Sequence, residues 1–194
     1  MRKILLLASM GLLLQGCAVF SEMSALRRCE FRLHSLESPR LCGIDISQKR
    51  SWKDFSFLEG QQIAATLLNS SLPFEILVNL EVRNPGSKLA AVNTIHWIAY
   101  VEDVEVAQGA VIQRVEIPPS HGRVLIPMLL QTDLVEFLEK GHPRSMLNFA
   151  LSLVHAQDRS SRVFLKIKPS VMVGKRTIPY PGYFTLTREF SAGD

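Results

Sequence analysis

The sequence lacks the short motifs that carry the commonest enzyme chemistries. It has no G-x-S-x-G nucleophile elbow, no G-x-G-x-x-G or P-loop phosphate cradle, no H-E-x-x-H metal site and no C-x-x-C pair. Nor does any run of Lys and Arg alternate with aromatic residues, as in proteins that follow a phosphate backbone. We therefore expect a protein that is not an enzyme, needs no cofactor and binds no nucleic acid.

Histidine and cysteine are also scarce. The histidines are His34, His96, His121, His142 and His155. None lies at metal-ligand spacing from a cysteine, so no metal site is expected. Cys29 and Cys42 allow two interpretations: a disulfide that closes a short loop across the strand-breaking Pro39, or two small buried side chains.

The N-terminus is typical of an exported protein. Arg2 and Lys3 precede the apolar run Ile4 to Leu14, which is too short to span a bilayer as a mature helix. The following Leu14-Gln15-Gly16-Cys17 resembles the bacterial lipoprotein lipobox. That resemblance implies cleavage after residue 16 and acylation of Cys17, with enough acyl chains for a stable membrane anchor.

The predicted mature chain therefore starts at Cys17, with residues 17–28 as a polar, lipid-anchored tether. Loss of the two signal-peptide cations lowers the formal net charge of +4 by two. Ala18 follows the cysteine in place of the Asp that retains enterobacterial lipoproteins in the inner membrane. We thus expect a location in the bacterial cell envelope, on the outer membrane facing the periplasm where one exists.

A half-buried strand and a sharp turn stand at the centre of the remaining chain. Ile76, Val78, Leu80 and Val82 alternate with more polar residues, which is the period of two expected for a strand. Asn84-Pro85-Gly86 then forces a turn, because proline donates no ladder hydrogen bond and glycine can take positive φ. The next strand, Thr94 to Val101, is apolar on both faces, which predicts a strand covered on both sides.

Four segments in this region resemble the late-embryogenesis-abundant type 2 (LEA-2) family, which contains the WHy (water stress and hypersensitive response) domain. They are Val82-Arg83-Asn84-Pro85, Trp97-Ile98-Ala99-Tyr100, Val106-Ala107-Gln108-Gly109, and Ile117-Pro118-Pro119 continuing through Gly122 to Pro127. The chain departs from the family at Gly86, where Asn is common. We interpret Asn84, Pro85 and Gly86 as a structural motif that sets the turn.

Both strand spacing and this resemblance favour an all-β fold, an immunoglobulin- or fibronectin-III-like antiparallel β-sandwich over residues 29–190 with a short tail at 191–194. One or two short accessory helices are expected. Ser56 and Glu59 have the spacing of a capping box that starts the first, within Ser51 to Asn69. We expect its apolar side to pack across an opening of the sandwich, since its polar side lacks the cations of a membrane-surface helix. The second is predicted from Asp133 to Glu139.

Two functions are compatible with these features. The resemblance implies a membrane-tethered protein that protects envelope proteins or membranes under desiccation, freezing or other stress. The alternative is an envelope binding or assembly adaptor, or a carrier of an apolar ligand. A large exposed apolar patch or an internal cavity would favour the alternative.

Overall fold

The fold is that of an antiparallel β-sandwich, as predicted. The computed structural model describes residues 23–101, 104–135, 163–173 and 176–188. The first sheet has the strand order β2-β1-β3-β6 and the second β5-β4-β7, with both β8 and β9 paired to β7. The strands are β1 Glu30–Leu41, β2 Ile44–Asp45, β3 Pro73–Asn84, β4 Ala90–Val101, β5 Val104–Ile117, β6 Gly122–Asp133, β7 Val163–Val173, β8 Arg176–Pro179 and β9 Phe184–Arg188.

Between β2 and β3 the chain forms a 3-10 turn, Trp52–Asp54, and the helix α1, Phe57–Leu68. The predicted capping box is confirmed: the Glu59 N–H donates to Ser56 Oγ, and the Ser56 N–H donates to the Glu59 carboxylate. Of the second predicted helix, residues 133–135 are described: Asp133 is the last residue of β6, and residues 134–135 are helical.

The core lies between the two sheets. Period-two alternation places Ile76, Val78, Leu80 and Val82 of β3 in it, each at most 5% exposed. Opposite them β4 contributes Ile95, Trp97 and Ala99, all buried. The core therefore follows the predicted alternation on β3.

The outer face of β4 differs from the prediction. His96 is exposed, and Ile98 and Tyr100 are only half-buried, so β4 is covered on one face rather than two. Among residues 94–100, only the inward residues Ile95, Trp97 and Ala99 are fully buried. The apolar character of the outer face therefore reflects β propensity as well as burial.

Strand β1 also differs, because Pro39 does not end it. The strand runs from Glu30 to Leu41. Its pairing with β3 shifts register between Glu37 and Arg40, around Pro39, and Ser38 in this segment has a φ of 50°. A bulge of this kind lets an edge-side strand accommodate proline without breaking the sheet.

The folded domain begins earlier than residue 29. Residues 23–27 are helical, and Ala25 and Leu26 lie in the core at 8% and 0% exposure. The predicted tether over residues 17–28 is therefore too long at its C-terminal side. The predicted lipidation site at Cys17, the predicted signal peptide at 1–16 and the predicted tail at 191–194 lie outside the described residues. No helix in the described part of the chain is long and apolar enough to cross a membrane.

We call the two ends of the sandwich the motif end and the helix end. At the motif end, Asn84 of β3 pairs with Gly122 of β6. At the helix end, Pro73 pairs with Asp133, and α1 lies close to the β1–β2 turn at Cys42. The 12 residues of β1 connect these ends, and at about 3.3 Å per residue they separate them by roughly 40 Å.

Candidate functional site

The motif end is fixed by the side chain of Asn84, which is fully buried. Its Nδ2 donates to the carbonyl oxygens of Lys88 at 2.8 Å and Ile117 at 3.1 Å, and its Oδ1 accepts from the Gly86 N–H at 3.0 Å. The Asn84 carbonyl accepts from the His121 N–H. One side-chain amide thus joins the turn at residues 86–88 to the end of β5, as expected of a structural motif at Asn84-Pro85-Gly86.

A second contact joins two further segments of the family pattern. Trp97 of β4 lies directly opposite Gly109 of β5. A Cβ atom at Gly109 would meet the indole ring at 2.5 Å, so only glycine leaves room for the tryptophan in its present position. Each of the four segments that resemble the LEA-2 pattern therefore contacts another of the four.

The two cysteines do not form a disulfide with each other. Cys29 precedes β1 and Cys42 follows it, so they lie at opposite ends of the sandwich and both are free and buried. A disulfide requires Cα atoms within about 7 Å. Burial and the neighbouring Glu30 raise the pKa of Cys29 to about 11, and burial raises that of Cys42. The interpretation as buried small side chains is therefore correct.

Helix α1 presents its apolar side to solvent, opposite to the predicted orientation. Phe57 is 79% exposed, Leu58 74% and Leu68 87%, whereas Ile63 is the one buried residue of the helix. We expected this apolar side to pack across an opening of the sandwich; the structure shows that it does not.

Polar contacts hold the other side of α1 against the fold. Gln62 Nε2 donates to the Cys42 carbonyl at 2.8 Å, and the Thr66 hydroxyl lies 3.1 Å from Cys42 Sγ. Lys49 Nζ lies 2.9 Å from the Glu59 carboxylate. These partners come from the turn after β1 and the loop before the helix. Together with burial of Ile63 in the core, these polar contacts set the orientation of α1.

Asp133 closes the same end of the molecule. Its carboxylate accepts hydrogen bonds from the Ser71 hydroxyl at 2.6 Å, the Leu72 N–H at 2.8 Å and the Val135 N–H at 3.0 Å. Burial by itself would raise the pKa of Asp133, but these hydrogen bonds outweigh it and lower the pKa. The ionised carboxylate thus ties the chain after α1 to the end of β6.

An apolar cavity lies between the sheets near the helix end. Its volume is about 40 Å³, and its lining includes Leu36 of β1, Leu130 of β6 and Phe164 of β7. Small-molecule sites usually occupy about 300–1,000 Å³. The cavity therefore does not hold an acyl chain or a drug-sized ligand in this conformation.

A buried carboxylate on the outer face of the first sheet is not apparent from the sequence pattern. Glu81 is 5% exposed, and its Oε1 lies 2.7 Å from Arg32 Nη2 in an ion pair. His34 Nδ1 lies 3.6 Å from the other oxygen. Alternation along β3 predicts an outward-facing Glu81 but not its burial, which depends on the long side chains of the adjacent strand.

The remaining histidines are dispersed in the described part of the chain. His96 is exposed on β4, and His121 Nδ1 lies 2.8 Å from Arg83 Nη2 at the motif end. His142 and His155 lie outside the described residues. Among the residues that are described, no group of three or more His, Cys, Asp or Glu side chains is placed to hold a metal ion.

The sequence matches no protein-family model and no curated protein. Among solved structures, it is similar to a protein from Archaeoglobus fulgidus, with 19% identity, a TM-score of 0.38, and coverage of 81% of this chain and 97% of that one. It is also similar to a protein provisionally assigned to the late embryogenesis abundant class, with 14% identity, a TM-score of 0.33, and coverage of 97% and 86%. A structural genomics target gives 14% identity, a TM-score of 0.32, and coverage of 84% and 83%. Likenesses this distant do not assign a family.

Proposed function

We propose that this chain is a membrane-tethered, non-enzymatic LEA-2/WHy-like protein that protects envelope proteins or membranes under desiccation, freezing or other stress. The observation that carries the proposal is the interlocking of the four family-like segments. Asn84 of the first segment bonds to Ile117 of the fourth, and Trp97 of the second packs on Gly109 of the third. Residues on which the LEA-2 resemblance rests therefore also join the strands to each other.

Protection in this proposal acts through surface contact rather than chemistry. A folded domain shields a partner by covering its exposed apolar groups, and this requires apolar groups on its own surface. Trp52, Phe57, Leu58, Leu67 and Leu68 supply them within one short stretch of the chain, each at least 44% exposed. The helix end is therefore the surface that we propose contacts the protected partner.

The proposed anchor is an acylated Cys17 within Leu14-Gln15-Gly16-Cys17. Acylation would place the domain in the cell envelope, on the outer membrane facing the periplasm in a cell that has one. Metabolic labelling with a fatty acid should mark the wild type and leave Cys17→Ala unmarked. Equal labelling of both would remove the anchor from the proposal.

A freeze–thaw assay tests the protective function. The chain from residue 18 onward should preserve a labile enzyme at stoichiometric ratios without a cofactor. An unrelated β-sandwich at equal mass is the control. Protection no better than this control would contradict the proposal.

The alternative is an envelope adaptor or a carrier of an apolar ligand, and the cavity between the sheets is the observation that favours it. The volume of about 40 Å³ is a difficulty for the carrier, because an apolar ligand of ordinary size would have to widen it. Crosslinking in intact envelopes separates the two functions. An adaptor would give one or a few partners at a fixed ratio, whereas a protective protein would give many at variable ratios.

A further inference from the structure

The outward side of α1 is apolar and carries no charge. Phe57, Leu58, Ala64, Ala65 and Leu68 are all exposed, with Gln61 as the polar residue among them. A surface helix of a soluble protein ordinarily turns such a side towards the core. Here the side that contains Glu59, Gln62 and Thr66 makes the contacts with the fold instead.

Exposed cations and an aromatic residue precede this apolar side in the chain. Arg50, Trp52 and Lys53 are exposed immediately before the helix, with Trp52 at 54%. The nearby acids are engaged locally. Asp54 accepts from the Arg50 and Ser51 N–H groups, and Glu59 accepts from the Ser56 N–H and from Lys49.

From this arrangement we infer that α1 and the preceding turn bind the surface of a bilayer that contains anionic lipids. Helices that lie in a membrane interface combine Trp, Phe and Leu with Lys and Arg. Helix α1 itself has no Lys or Arg, so the cations of this surface are Arg50 and Lys53 of the preceding turn. Arg50 and Lys53 complement anionic headgroups, while Phe57, Leu58 and Leu68 would enter the acyl boundary. This inference rests on the proposed function, because it names a membrane as a partner that the domain contacts.

The helix contact and the point where the chain enters the fold lie at opposite ends of the sandwich. Residue 23 enters near the motif end, where Arg28 approaches Gly86, and Cys17 is six positions earlier in the sequence. Six residues span at most about 20 Å, whereas β1 separates the ends by roughly 40 Å. Both contacts can therefore reach one bilayer only if the strands lie along its surface, and α1 would fix that orientation.

Fluorescence quenching by brominated lipids tests the inference on the full chain reconstituted into vesicles. The protein has two tryptophans, and Trp97 is 5% exposed in the core. Subtracting the emission spectrum of the Trp52→Phe variant from that of the wild type leaves the emission of Trp52. In phosphatidylglycerol-containing vesicles, Trp52 emission should fall by a factor on the order of two as the residue enters the acyl boundary. In the triple serine variant Phe57→Ser/Leu58→Ser/Leu68→Ser, the Trp52 emission should not fall when these vesicles are added.

Two controls sharpen this test. Ile112→Ser removes an 83% exposed apolar residue from β5 and should retain full quenching. Arg50→Gln/Lys53→Gln should reduce quenching in phosphatidylglycerol-containing vesicles and leave it unchanged in pure phosphatidylcholine, because the cations act on headgroup charge.

Three results would overturn the inference. The first is no quenching of Trp52 in either kind of vesicle. The second is equal quenching in the wild type and the triple serine variant. The third is a lipid-free change of oligomeric state in that variant, which would show that a second copy covers the helix. Enzyme protection in lipid-free solution that persists under any of these results would leave the proposed function standing.

Discussion

The two ends of the sandwich differ in where their polar and apolar side chains lie. At the motif end, the side chain of the fully buried Asn84 makes three hydrogen bonds to backbone atoms, two in the turn that follows it and one at the end of β5. At the helix end, polar groups face inward from α1, and Phe57 and Leu68 remain in solvent. The first arrangement stabilises one conformation, while the second leaves apolar surface that the fold itself does not use. We therefore assign stability to the motif end and contact with partners to the helix end.

Substitution of Asn84 should have the largest effect on stability. Asn84→Ala leaves the Lys88 and Ile117 carbonyls and the Gly86 N–H without their partner. The bond to Ile117 is buried and the other two are partly buried, and an unsatisfied buried group costs about 1–3 kcal/mol. We expect the free energy of unfolding to fall by about 2–4 kcal/mol in urea denaturation. Asn79→Ala on the same strand is the control and should cost less, because Asn79 is only half-buried. Equal losses would contradict a special role for the motif.

A smaller loss is expected where β4 and β5 meet. Gly109→Ala places a Cβ atom 2.5 Å from the Trp97 ring, and overpacking of this kind costs about 1–3 kcal/mol. The matched change at the helix end is Gly60→Ala, where no atom lies within 4 Å of the added Cβ. That variant should be more stable by about 0.5–1 kcal/mol because alanine favours the helix. Thermal unfolding of the two variants measures the difference, and a loss in both would show that α1 is packed more tightly than described.

Asp133 gives the helix end a pH dependence. A folded-state pKa below the ordinary 3.8 means that its hydrogen bonds stabilise the protein above that pH and lose their effect as the pH falls through the lowered pKa. Asp133→Ala should therefore cost about 1 kcal/mol at pH 7, and less in acid. Urea midpoints at pH 7 and pH 3 measure the change. A cost that grows towards pH 3 would have the wrong sign for this account.

The smallest effect is expected on the exposed side of α1. Phe57→Ser/Leu58→Ser/Leu68→Ser removes apolar groups that are already in water, so each change should alter the free energy of unfolding by no more than about 0.5 kcal/mol. The contrast is Ile63→Ala, at 4% exposure on the inward side, which should cost about 2–4 kcal/mol. A large loss in the triple variant, seen by circular dichroism on heating, would show that the exposed side is covered by the chain itself.

Much of the fold follows from local patterns in the sequence. The alternation of Ile76, Val78, Leu80 and Val82 predicts the central strand, and the spacing of Ser56 and Glu59 predicts the start of α1. These features are set by neighbours along the chain. For that reason they can be read without knowledge of the tertiary structure.

The orientation of α1 and the separation of the cysteines depend on contacts between distant residues. The apolar period of α1 does not show which side faces the sandwich, because that choice depends on Cys42, 20 positions from Gln62. Similarly, Pro39 suggests a break, whereas a bulge carries β1 through it and keeps Cys29 far from Cys42. For this reason the sequence pattern does not predict the exposed apolar side of α1. The position of Trp52 between Arg50 and Lys53 is the local feature that indicates it.

Amide hydrogen exchange on the full chain, with and without phosphatidylglycerol-containing vesicles, tests the division between the two ends most directly. The account predicts slower exchange across residues 52–68 when vesicles are present, and unchanged exchange at residues 84–88 and 118–122. Slower exchange at the motif end with no change at the helix end would contradict it.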